Sequence, residues 1–473
     1  MNELLLWGIP VVCLLATFLG IALWTKNPAM AMGIAIPLVF LFPAWAKCST
    51  GIEPIDIKST ATIGMLCLYS FLPGATYPWR LVLADYFMLG LLAVHLISDT
   101  YHDGLSLAIP AIAYVEWLVP YLAGRLCFQR IEDVEKIWPV VVYIGGYLAV
   151  LSITESVLLL NLLEWLWGER PLERFPRNVL RWGWRRSYVI CLHPLYMGVL
   201  SIWLWSWMLF GGLRSLRGRA SVAWLFLVPL GLVGVLASGS RGPILAIPLV
   251  ILGAVFCQLP RWRTTLAIGM VCACLLVIWF REPVQATLDV WSGERRDWNS
   301  SRQIFIDDKF QEYSSLRTRS LLWTIYRKPF WNSGLLGYGT TNCGTFPVNV
   351  PLSAQELNVR RELWMIDNTY LLVALRFGFL GLFSFLGLLL SSLWQWIRIA
   401  DSPGTKSIDL ASTAFGGSIS TVFLIGSVWM PYDFGFFLLW MIGASSGLQL
   451  QAKSRGSSKR DSTTEFRRKQ ELG

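Results

Sequence analysis

The chain has 473 residues, of which 55% are hydrophobic and only 15% charged. That balance excludes a soluble enzyme, because apolar runs of about 18 or more residues recur, each long enough to cross a hydrocarbon core of roughly 30 Å. The net charge of +10 does not indicate nucleic acid, since the basic residues are spread over short connections and a polar tail.

Backbone groups in lipid must bond internally, so such runs predict helices. The expected fold is all-α, a polytopic bundle of 12–13 spans near 4–24, 28–46, 79–98, 105–124, 138–160, 188–210, 221–238, 242–259, 263–280, 368–397, 409–428 and 431–450. The stretch 60–73 is too short to place, which leaves the side of the N-terminus open. Residues 1–450 thus form a membrane domain with one large external loop, 281–367, and residues 451–473 form a basic tail expected to be disordered.

Arg125, Arg130, Lys136, Arg214, Arg217, Arg219, Arg261, Arg263, Arg398 and Lys406 fall in short connections. The positive-inside rule assigns these, and the C-terminus, to the cytoplasm. By alternation 99–104, 161–187, 239–242 and 281–367 lie outside. The first apolar run reads as a retained span rather than a cleaved signal. Nine scattered cysteines and three histidines show neither a disulfide framework nor metal-ligand spacing, so no metal or cofactor is expected.

The outer connection 161–187 interleaves aromatics with Arg170, Arg174, Arg177, Arg181, Arg185 and Arg186, against the charge rule. Two readings remain open: an amphipathic helix on lipid head groups, or an anion site whose planar guanidiniums grip phosphate oxygens. His193 opens the next span beside Pro194 and reads as a cap or a catalyst. Arg241, alone among charges between Val222 and Leu259, stands in "SGSRGP", a hairpin between two spans. There it can snorkel, or serve an anion beside free helix N–H groups. In the large loop Arg317 and Arg319 precede "LLWTIY", a short amphipathic helix, and Gly337 and Gly339 form a Gly-x-Gly turn without nucleotide-site context. Asp367 and Asn368 stand at the outer mouth of the next span, as a cap or, for Asp367, as a general base.

These segments together resemble the O-antigen ligase and O-antigen polymerase (Wzy-type) superfamily, which includes exopolysaccharide polymerases. The resemblance rests on "RRSYVICLHPLYMG", "SGSRGP", "RSLLW…GLLGYGTTN" and "DNTYLLVALRFGFLGL", in that order over roughly 180–385. It implies a GT-C-like membrane glycosyltransferase of the bacterial inner membrane, working without a metal on its periplasmic face. The donor would be a glycan on polyprenyl (undecaprenyl) diphosphate, and the acceptor a second glycan or a lipid A core. Arg186, Arg241 and Arg319 would hold the diphosphate, supported by Arg185, Arg317, Gly337, Gly339 and Asn368. Asp367, with His193 as second choice, would take the acceptor proton. Many members place His where this chain has Asp367, which tips the reading toward a polymerase over a ligase. Chain-length-control and export proteins are the implied partners, beside membrane lipids. A lipid-linked oligosaccharide flippase is the rival from another class, though no paired internal repeat supports it.

Overall fold

Few charges interrupt the apolar runs, and their backbone groups find partners only within the segment, so helices dominate. The computed structural model describes residues 3–49, 54–77, 80–168, 180–218, 221–279, 287, 303–306, 309–312, 317–343, 366–402, 405–431 and 434–450. The helices are α1 (Glu3–Thr25), α2 (Pro28–Leu38), α3 (Ile57–Phe71), α4 (Leu83–Asp103), α5 (Ala108–Ala113), α6 (Val119–Cys127), α7 (Ile131–Leu158), α8 (Leu162–Trp167), α9 (Pro194–Leu216), α10 (Ala223–Ala237), α11 (Arg241–Gln258), α12 (Arg263–Trp279), α13 (Arg317–Asn332), α14 (Thr369–Ala400), α15 (Thr405–Ile425) and α16 (Phe434–Leu450). A π-helical turn, Tyr114–Leu118, joins α5 to α6.

Among the described residues, seven helices are long and apolar enough to cross a membrane, against the 12–13 spans expected from the apolar runs. Pro28–Leu41, Trp224–Ala237 and Phe434–Leu450 are apolar but shorter. The stretch near 60–73 becomes α3, packed along α1 and capped by Asp56, whose carboxylate accepts the Ser59 N–H at 2.7 Å. The tail 451–473 lies outside the described residues.

One core runs through the bundle, and α9 lies at its centre, with Trp203, Trp205 and Trp207 all buried. Its neighbours are α7, α10, α11 and α15. Helix α11 crosses α15 closely, a Cβ on Gly253 standing 2.7 Å from Gly416 Cα, and α6 crosses α16 closer still, a Cβ on Gly124 standing 1.8 Å from Trp440 O. Such small residues let helices approach in the absence of a hydrophobic force between them.

Opposite ends of the bundle differ in chemistry. At one end Arg214 pairs with Glu135 at 2.6 Å, Arg263 with Asp401 at 2.7 Å, Arg125 with Asp85 at 2.8 Å, and Arg217 with buried Asp409. This end gathers connections that the charge rule grouped together. The other end holds the starts of α9, α11 and α14 with the ends of α4, α7 and α10.

Of the two readings of 161–187, the interfacial helix is not formed over 180–185. Leu180–Arg181 and Trp184–Arg185 pair as a two-stranded hairpin. Its turn residues, Trp182 and Gly183, have φ of 53° and 80°, the twist that suits tight hairpins. The arginines at 170, 174 and 177 lie outside the described residues.

Candidate active site

Three helix starts converge at the second end, each with a polar residue before it. His193 caps α9, its Nδ1 accepting the Leu195 N–H at 3.1 Å. Ser240 precedes α11. Asn368 caps α14, its Oδ1 accepting the Leu371 N–H at 2.9 Å. They are tied together: a Cβ on Gly242 would meet Leu424 at 3.2 Å and Leu195 at 3.9 Å, and Thr369 donates through N and Oγ1 to Val428 O at 3.2 and 2.7 Å. Each start presents free N–H groups and roughly half a positive charge.

The hairpin between α10 and α11 stands where the turn residues placed it, with Arg241 as the first residue of α11. This arginine is only 8% exposed, and its neighbour Gly242 packs against Leu195 of α9 and Leu424 of α15. Arg186 lies against the same hairpin: its Nη2 donates to Ser240 Oγ at 3.0 Å, and its side chain fills the space a Cβ on Gly239 would need. Arg181 Nη1 also donates to Gly239 O at 2.8 Å. The sequence order "RRS" therefore brings Arg186 beside Ser240, next to Arg241.

Arg185 has another role. It is 5% exposed and lies 3.5 Å from the Glu155 carboxylate, donates to Tyr188 Oη at 2.8 Å, and bonds Leu159 O. Glu155 in turn accepts the N–H groups of Tyr188 and Val189 at 3.1 and 2.8 Å. Burial, with the nearby Glu155 carboxylate, pushes the Tyr188 phenol up to about 12. This buried lock fixes the hairpin to α7, so the contacts of Arg185 are with Glu155, Tyr188 and Leu159.

Gly337 and Gly339 lie in a main-chain joint with α14. Helix α14 breaks at Gly378, with φ 66° and ψ −165°. Four main-chain bonds fill the break: Tyr338 N to Leu375 O, Gly339 N to Arg376 O, Phe379 N to Gly334 O and Leu380 N to Leu335 O, at 2.8–3.2 Å. A Cβ on Gly337 would stand 2.4 Å from Arg376 O, so only glycine permits this approach. From α4, Asp99 accepts the Thr340 N–H at 2.8 Å, and Ser98 Oγ donates to Leu336 O at 2.6 Å.

Arg317 and Arg319 open α13, but their side chains lie outside the described residues. The helix docks through Leu322, Ile325 and Tyr326 onto Ile366, Leu371 and Leu375, so its start belongs to this end of the bundle. Asp367 is half-buried, one residue before the cap, and Asn368 takes the capping role.

Sequence reasoning passed over Glu116. It is the only charged residue between Asp103 and Arg125, in "GLSLAIPAIAYVEWLVPYLAG", and that isolation was the available signal. It lines a cavity of about 100 Å³ with Trp117, Thr369, Arg376, Phe377 and Trp429.

Residues 224–386 match the family described as O-antigen ligase. The matched segment carries Arg241, Arg317, Arg319, the Gly337–Gly378 joint and Asp367, in agreement with the resemblance read from the sequence. It supports placement in the O-antigen ligase and polymerase superfamily and a membrane glycosyltransferase activity of ligase or polymerase type. Arg186 and His193 precede the matched segment, and Glu116 and Trp429 also lie outside it, yet the fold brings all four to the same end of the bundle. No curated protein matches the chain.

Proposed function

We propose that the protein transfers a glycan from polyprenyl diphosphate to a saccharide acceptor on the periplasmic face of the inner membrane, as a polymerase in O-antigen or exopolysaccharide synthesis. The observation that carries this reading is the placement of Arg186 against Ser240, the residue directly before Arg241, amid three helix starts. When an acceptor hydroxyl attacks the anomeric carbon, the bond to the diphosphate breaks and negative charge grows on the leaving oxygen. Preorganised cations in a site shielded from water stabilise that charge more than they stabilise the bound donor. Arg186 and Arg241, with Arg319 from α13, are the proposed ligands of the diphosphate. Asp367 takes the hydroxyl proton, with His193 as the second candidate. No step in this scheme calls for a metal.

The end rich in paired arginines is then cytoplasmic, and loop 281–367 periplasmic. Chain-length-control and export proteins would act beside the enzyme. A ligase acting on lipid A core shares the donor chemistry, and Asp367 in place of His favours the polymerase.

Deletion of the gene, followed by analysis of carrier-linked glycans, tests the reading. Single repeat units left on the carrier are expected. Long chains on the carrier that are absent from lipid A core would instead show a ligase, and intermediates trapped in the cytoplasmic leaflet would overturn both in favour of a flippase. Complementation with Arg241→Ala should restore membrane-inserted protein at wild-type level while leaving transfer below about a hundredth, the scale on which one preorganised donor acts.

A further inference from the structure

The cavity lined by Glu116 lies beside the proposed diphosphate site and is not absorbed by it. Its walls come from the π-helical turn, the first segment of α14 and the link before α16. Thr369 at its edge follows Asn368 directly. Trp429 packs against Tyr196 at 6.3 Å between ring centroids, and Tyr196 against His193 at 5.5 Å. One layer of aromatic rings thus separates the cavity from His193.

A carboxylate in an apolar segment costs several kcal/mol unless it faces water or a ligand, and such residues mark function. Among the described residues, none bonds or pairs with the Glu116 carboxylate. It is held in place all the same. The neighbouring Trp117 is buried and donates through Nε1 to His95 Nδ1 at 3.0 Å, while His95 Nε2 stands 3.1 Å from Asp99. Phe377 lies against the His95 ring at 4.5 Å. A single buried histidine thus fixes two cavity walls, and the π turn, a feature often found at functional positions, sets the direction of Glu116. Arg376 is anchored too, its Nε donating to Cys343 O at 2.8 Å.

We propose that this cavity is a saccharide subsite, in which Glu116 and Arg376 bond the hydroxyls of an acceptor sugar whose apolar face lies on Trp429. A carboxylate acceptor and a guanidinium donor lining one aromatic-walled pocket match the alternating hydroxyls and C–H faces of a sugar, and do not suit an acyl chain. The assignment of the sugar as acceptor rests on the transferase reading; the subsite itself does not.

The test uses the full chain in lipid nanodiscs and, as probe, the lipid-free oligosaccharide cut from the host's own surface glycan. Binding is read by saturation-transfer NMR. Glu116→Gln and Trp429→Leu should each weaken binding at least tenfold, and Trp429→Phe, which keeps a ring, should stay within about threefold of wild type. No binding to wild type, or equal binding by wild type, Glu116→Gln and Trp429→Leu, overturns the subsite. Transfer is measured separately: a wild type that transfers glycan while the variants bind normally sinks only the subsite. Binding that depends on Glu116 and Trp429 without any transfer sinks the transferase reading and leaves the saccharide site standing.

Discussion

Two adjacent arginines show how little a residue's type says about its work. Arg185 is enclosed with Glu155, and Arg186 faces the hairpin at Ser240. Arg185→Ala leaves a buried carboxylate without its counter-charge, a loss of about 3–5 kcal/mol. Arg186→Ala should cost stability within roughly 1 kcal/mol, like a typical net hydrogen bond, while transfer falls steeply. Thermal melts in detergent beside transfer assays separate the two; equal melting points would refute the division. Tyr188 adds a pH signature. Its folded-state phenol is raised to about 12 from an ordinary 10, so its contribution is fully present below pH 10 and is lost as pH rises through about 12. Melts from pH 9 to 12 should decline over that upper window, and Tyr188→Phe should flatten the decline.

At the scale of elements, the telling feature is a helix that breaks by design. Gly378 opens α14 so that residues 334–339 can bond its exposed main chain, and α4 locks the joint through Ser98 and Asp99. Gly378→Ala would force a side chain at φ 66° to within 2.4 Å of Leu335 O. Left-handed backbone costs a non-glycine residue about 1–2 kcal/mol before any clash. The loop should therefore detach: limited proteolysis within 333–343 is expected to quicken at least tenfold. Unchanged cleavage would mean that the joint is not what holds the loop.

For the whole molecule, the fold sorts its charges by end. Residues 193, 241, 337 and 368 gather at one end, and the ion pairs of Arg214, Arg217 and Arg263 at the other. If the proposed orientation holds, Leu335→Cys, at a site 63% exposed, labels with a membrane-impermeant thiol reagent from the periplasm. Trp262→Cys, at a site 59% exposed, labels only after lysis. Both belong in a background lacking the nine native cysteines. Labelling of both from the same side would refute the sorting, and the reverse pattern would invert the membrane orientation.

The all-α membrane fold and the hairpin at Arg241 were legible in the sequence, because apolar length and turn-forming residues act locally. So was a short helix at "LLWTIY", which the structure extends to Arg317–Asn332. Position along the chain could not tell which arginine of a pair meets a carboxylate, since Glu155 lies 30 residues before Arg185. Nor could it show that Gly337 serves the break at Gly378, or that Glu116 shares a cavity with Arg376 and Trp429. Local chemistry determined which segments become helices and where they turn. Tertiary packing alone decided which charges are used up inside the protein and which face a cavity, because burial and counter-charge come from elements distant in sequence.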